Sequence, residues 1–119
     1  MPINAAGGES SPDAVALVVT TLPEPSVAER VVRQLVDEQF IACGNILPGL
    51  ISIYRWNDQV QREGEVLVLM KTRKSLVAGL FERVAELHPY DVPELVEVDA
   101  ERVSAAYGQW VLDSTRIGA

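Results

Sequence analysis

Residues 50–72 read LISIYRWNDQVQREGEVLVLMKT, and the middle of this stretch decides the fold. Asn57-Asp58 is a pair that tolerates positive φ, the requirement of a two-residue hairpin turn, and long β-prone runs flank it. Leu50 to Trp56 leads in, and Gln59 to Thr72 leads out as an equally long strand. Upstream, the β-rich run from Cys43 extends the first arm. Pro48-Gly49 interrupts it with a lost amide and a flexible residue, so a bend or bulge is expected there. Gly64 is expected to mark a second bulge.

Outward from the hairpin, the other elements follow from their periodicity. Residues 14–19 are all apolar and rich in valine, the pattern of a strand central in a sheet. After Pro23-Glu24-Pro25, Ser26 and Glu29 form a capping-box signature. It precedes a helix whose apolar stripe is Val27, Ala28, Val31, Val32, Leu35 and Val36, with Arg30, Arg33, Asp37 and Glu38 facing water. Beyond the hairpin, Ser75 is expected to cap a second helix carrying Val77, Leu80, Phe81, Val84 and Leu87, with Glu82, Arg83 and Glu86 on the wet side. His88-Pro89 ends it, because the residue before proline is pushed out of the helical region. Alternation from Pro93 to Asp99 predicts a short fourth strand, and Val103, Tyr107, Trp110 and Val111 predict a last amphipathic helix.

The expected class is therefore α+β: a ferredoxin-like β-α-β-β-α-β antiparallel sheet with two helices on one face, a long hairpin, and an extra C-terminal helix. Residues 1–13 are expected to form a flexible N-terminal segment and residues 14–119 a single domain. Within 119 residues, a second core would leave each half too small to offset its ordering entropy.

Hairpin arms of about fourteen residues extend about 45 Å, whereas a helix of that length covers about 21 Å. The far part of the hairpin carries Leu50, Ile51, Ile53, Tyr54, Trp56 and Val60, which need cover. Another subunit is the simplest cover; the monomeric alternative is a hairpin coiled back on its own sheet.

Composition excludes some functions. A net charge of -7 repels phosphate backbones and anionic membrane surfaces, so neither nucleic acid nor membrane is an expected partner. One cysteine, Cys43, rules out an intramolecular disulfide framework, and no basic, apolar leader precedes residue 14. A cytoplasmic protein is the expectation.

Four blocks carry a family resemblance: Ala42 to Gly49 (ACGNILPG), Ser52 to Trp56 (SIYRW), Glu65 with Met70-Lys71-Thr72, and His88 to Glu94 (HPYDVPE). In this order they resemble the signature blocks of the CutA1 divalent-cation tolerance family. The resemblance implies a ferredoxin-like fold, a homotrimer whose hairpins reach onto neighbouring subunits, and a role in tolerance to divalent metal ions with copper binding in some members. It brings no catalytic mechanism. The sequence departs from the pattern at Gly44, where valine is more typical, and at Thr20 or Thr21, where copper-binding bacterial members can carry a cysteine.

His88, the sole histidine, is the candidate ligand for copper(II) or another divalent cation, with Glu94 as carboxylate partner. The competing reading has His88 ending the helix and donating to a backbone carbonyl. Tyr54, Trp56, Lys71 and Tyr90, with His88 and Glu94, are candidates for an inter-subunit pocket; plain interface packing also accounts for the aromatics. Cys43 reads as a small buried hydrophobe. Nothing calls for an organic cofactor.

Two functions of other classes share the topology. A PII-like trimeric signalling module would bind a small anionic ligand between subunits and report to an unidentified protein partner, but would need a long effector loop in place of Asn57-Asp58. An acylphosphatase-type enzyme would need an arginine-bearing phosphate loop after the first strand, and Thr20 to Glu24 has none. The expectation is a protein without catalytic activity.

Overall fold

The computed structural model describes residues 13–117; residues 1–12 of the expected N-terminal segment lie outside the described residues. Four strands, β1 (Val15–Leu22), β2 (Cys43–Trp56), β3 (Gln59–Arg73) and β4 (Val96–Asp99), form one antiparallel sheet in the order β2-β3-β1-β4. Helix α1 (Pro25–Asp37) follows β1, α2 (Val77–Leu87) follows β3, and α3 (Ala105–Asp113) follows β4. This is the split βαβ order expected from the sequence.

β1 is central, as its apolar run predicts, but its burial alternates. Ala16, Val18, Thr20 and Leu22 are buried, and the residues between them are half-buried. The buried set packs with Val66, Val68 and Met70 of β3 against Ala28, Val31, Val32 and Leu35 of α1 and Val77, Leu80 and Val84 of α2. Both helices thus share one face. On the other face α3 covers one end, where Tyr107 Oη lies 3.6 Å from Cys43 Sγ.

The hairpin turns at Asn57 and Asp58 with φ of 51° and 62°, as that pair predicts. The register shifts between Leu47 and Leu50, so the expected bulge at Pro48-Gly49 is present, with Gly49 at φ 85°. Gly64 does not bulge; it pairs in register with Ile51.

Helix starts differ from expectation. α1 begins at Pro25 after an extended Glu24, and no side chain caps it, so Ser26 and Glu29 make no capping box. Proline's fixed φ suits the first helical position and moves the start ahead of Ser26. Ser75 caps nothing either: it sits in a 3-10 turn, Lys74–Leu76, and its hydroxyl donates to Asp13 at 2.5 Å. Val36 is exposed and Val103 precedes α3 instead of joining it. Arg83 is drawn from open water to Glu38, bonding it at 2.8 and 2.7 Å and tying α2 to the end of α1.

Buried Arg73 fastens the sheet to the C-terminal helix. Its Nε donates to Thr115 Oγ1 at 3.0 Å, Nη2 donates to the Leu112 carbonyl, and Nη1 pairs with Asp13 at 3.4 Å. The bond to Leu112 adds a charged donor to one of the last carbonyls of α3, which also accepts from the Thr115 N–H at 3.4 Å.

Candidate functional site

The alternation of side chains along the arm sorts its residues. Ser52, Tyr54 and Trp56 of β2 and Gln61, Glu63 and Glu65 of β3 share one face, because Ser52 pairs with Glu63 and Tyr54 with Gln61. Ile51, Ile53, Arg55, Val60 and Arg62 point the other way, beyond the reach of α1 and α2, and Ile53 and Val60 are 69% and 67% exposed.

Where β1 stops at Leu22, its hydrogen-bonded partner on β3 is Val66, so β3 runs on past it. The connection from His88 to Glu94 comes to this place, and Tyr90 Oη donates to Glu65 at 2.8 Å. Between this connection and the arm lies an open cleft of about 810 Å³. Tyr54, Trp56 and Tyr90 supply aromatic wall, and Glu63, Glu65, Asp91 and Glu94 supply four carboxylates. No lysine or arginine lines it among the described residues. Glu65 is only 9% exposed.

Both phenols are held as donors. Burial raises the pKa of Tyr90, and the hydrogen-bonded Glu65 carboxylate raises it further. Desolvation raises that of Tyr54, with Glu63 adding to it. A tyrosinate beside a carboxylate would add a second negative charge, so the proton stays on the ring oxygen.

Of the residues proposed from the sequence as site members, Tyr54, Trp56, Tyr90 and Glu94 meet at this cleft. Lys71 does not line it; it pairs with Cys43 further along β3, and its Nζ donates to Asn45. His88 is 8% exposed and has both ring nitrogens in use. The Tyr90 backbone N–H donates to Nδ1 at 3.1 Å, so the proton sits on Nε2, which donates to the Thr21 carbonyl at 2.7 Å. Burial lowers its pKa, in keeping with a neutral ring. While these bonds hold, no nitrogen lone pair is open to a metal. Among the described residues no three His, Cys, Asp or Glu side chains converge as a metal site.

Thr21 lines the cleft, whereas Thr20 faces the core, its hydroxyl buried without a hydrogen-bond partner among the described residues. Glu63 and Glu65 were not among the site candidates from the sequence, whereas Asp91 is the carboxylate that a strong metal site at His88 and Glu94 would further require. The i, i+2 spacing of Glu63 and Glu65 on β3 is the signal that marks them, since it sets them on the face of Tyr54 and Trp56.

An α+β domain of split βαβ order, with an overlong hairpin and an acidic, aromatic cleft at its root, defines the class of protein. Residues 16–114 match the family model described as CutA1 divalent ion tolerance protein, and the chain belongs to that family. It is 41% identical over 99 residues to "Divalent-cation tolerance protein CutA" of Thermus thermophilus, covering 83% of this chain and 96% of that one. The structure of a Thermus thermophilus divalent cation tolerance protein superposes with a TM-score of 0.83 at 40% identity, covering 86% of this chain and 99% of that one. CutA1 from Ehrlichia chaffeensis superposes with a TM-score of 0.85 at 31% identity, covering 90% of this chain and 100% of that one. Human "Protein CutA" is 34% identical over 114 residues, 96% of this chain; the chain spans 64% of the human protein's length.

Proposed function

We propose that this protein serves tolerance of divalent metal ions, copper(II) among them, as a homotrimer that catalyses no reaction and holds ions weakly. The observation that carries this reading is the carboxylate-lined cleft: it attracts cations, yet its acidic groups do not converge on one point. A tight zinc or copper site needs about three or four converging ligands. Of the two expected ligands, Glu94 is exposed and available, whereas His88 would first have to release Tyr90 or Thr21.

Self-association is supported by the apolar arm, and the family resemblance sets the number at three. In that assembly the cleft lies between subunits. Cytoplasmic residence suits the single, free Cys43. The PII-like reading gains nothing from this cleft, because four carboxylates without a basic residue repel a small anion.

Native mass spectrometry with and without copper(II) tests the proposal. The expected result is a three-chain particle that carries copper at low occupancy, gives it up to a mild chelator, and behaves alike in wild type and His88→Ala. A particle of single-chain mass removes the trimer; stoichiometric copper that survives the chelator and is lost in His88→Ala removes the weak-site reading.

A further inference from the structure

The hairpin arm has two unlike faces, and each suits the other. We propose that the chain assembles head to tail: the face of Ile51, Ile53, Arg55, Val60 and Arg62 on one copy seats in the cleft of the next, where its two arginines pair with Glu63, Asp91 and Glu94. This rests on the homotrimer reading and names the surfaces that meet and the residues a neighbour adds to the cleft.

The first face needs an occupant. Ile51, Ile53 and Val60 are 52%, 69% and 67% exposed, more than a monomer ordinarily leaves clustered in water. Arg55 and Arg62 stand among them, since Arg55 pairs with Val60 and Ile53 with Arg62. The reverse of the same ribbon carries Tyr54 and Trp56 with Glu63 and Glu65, joined at the cleft by Asp91 and Glu94. One face is thus apolar and basic, and the other is aromatic and acidic.

Charge then selects how copies meet. A two-fold contact sets the same patch of both copies together, so Arg55 and Arg62 would be brought against their own counterparts, or Glu63 and Glu65 against theirs. Like charges across an interface disfavour a contact and opposite charges favour it. Unlike faces therefore meet. Each copy then uses both of its faces once, and the contact repeats from copy to copy until a ring closes, which allows an odd number of chains.

In this arrangement the cleft gains what its own chain does not bring to it. No lysine or arginine lines it among the described residues, and none of the ion pairs among those residues involves Arg55 or Arg62. A guanidinium pairs with carboxylates through a planar fork and also stacks on aromatic faces, so a wall of Tyr54, Trp56 and Tyr90 beside carboxylates suits arginine on both counts. Ile53 and Val60 shed water against the same rings. Behind the contact, Glu65 is already engaged by the Tyr90 hydroxyl, which leaves the exposed Glu63, Asp91 and Glu94 to take the arginines.

Light scattering on the full chain tests the contact by charge reversal. Arg55→Glu/Arg62→Glu and, separately, Glu63→Arg/Glu94→Arg alter exposed side chains. Each is expected to reduce the particle from three-chain to single-chain mass at a concentration where the wild type stays assembled. All four substitutions in one chain restore opposite charges at every contact of the ring, and the three-chain mass is expected to return. Circular dichroism checks that each variant keeps its sheet. Where one does not, glutamine at the same positions takes its place, and assembly is expected to move to about tenfold higher concentration. Reversed or glutamine variants that assemble like the wild type, or a combined variant that stays apart, overturn the head-to-tail contact and leave the trimer standing. A wild type of single-chain mass overturns the trimer itself.

Discussion

A Cβ placed on Gly44 would lie 2.8 Å from Val32 Cγ1, nearer than carbon atoms tolerate. Glycine here lets β2 approach α1 closely, which gives a physical reason for the departure from the more typical valine. Gly44→Val is expected to cost about 1–3 kcal/mol, measured by urea denaturation, with part of the loss recovered when Val32→Ala is added. His88 gives a prediction of a different kind. Burial lowers its pKa below the unfolded value of 6.5, so the unfolded chain binds the proton more readily. Stability is therefore full above that value and falls as pH drops below it toward the folded pKa. Urea midpoints between about pH 7.5 and 5 at fixed protein concentration check the sign, and a rise on acidification would mean a ring charged in the fold. That His88 ends α2 is legible from the proline that follows. The acceptor it reaches, the Thr21 carbonyl, is 67 residues away in sequence, and no local pattern encodes such a contact.

Among the elements, the uncapped start of α1 stands out. Glu24 occupies the N-cap position in extended conformation without a side-chain bond to the first turn. Serine in that place can accept from one of the orphan amides, so Glu24→Ser is expected to stabilise the protein by about 1 kcal/mol, read as a raised urea midpoint. The hairpin is legible in detail because its determinants are local: Asn57 and Asp58 tolerate positive φ, and Pro48 lacks an amide. Helix starts are less legible. Ser26 and Ser75 have the chemistry of caps, but Pro25 sets one start and the bond from Ser75 to Asp13 diverts the other. Gly64 misleads for a similar reason, since a glycine can sit in regular register as easily as in a bulge.

The described chain measures 51 × 28 × 26 Å, and the long axis reflects the arm. Ile53 and Val60 lie on the arm face that neither α1 nor α2 reaches, and monomers rarely leave such groups in water. The double variant Ile53→Asp/Val60→Asp is expected to break the proposed homotrimer into smaller species with the sheet intact, seen by light scattering with circular dichroism as the control. Retention of the wild-type mass would show that this face is not the interface. The order of the elements and the hairpin with its turn were readable along the chain, because periodicity and turn chemistry are properties of neighbouring residues; that Tyr54, Trp56, Tyr90 and Glu94 line one cleft within a single chain was not. Nor was the sign of the cleft: folding leaves Lys71 outside it, brings Glu63 and Glu65 inside, and engages both nitrogens of His88. Those outcomes depend on which strand ends where and on which connection crosses it, distances set when the whole chain packs.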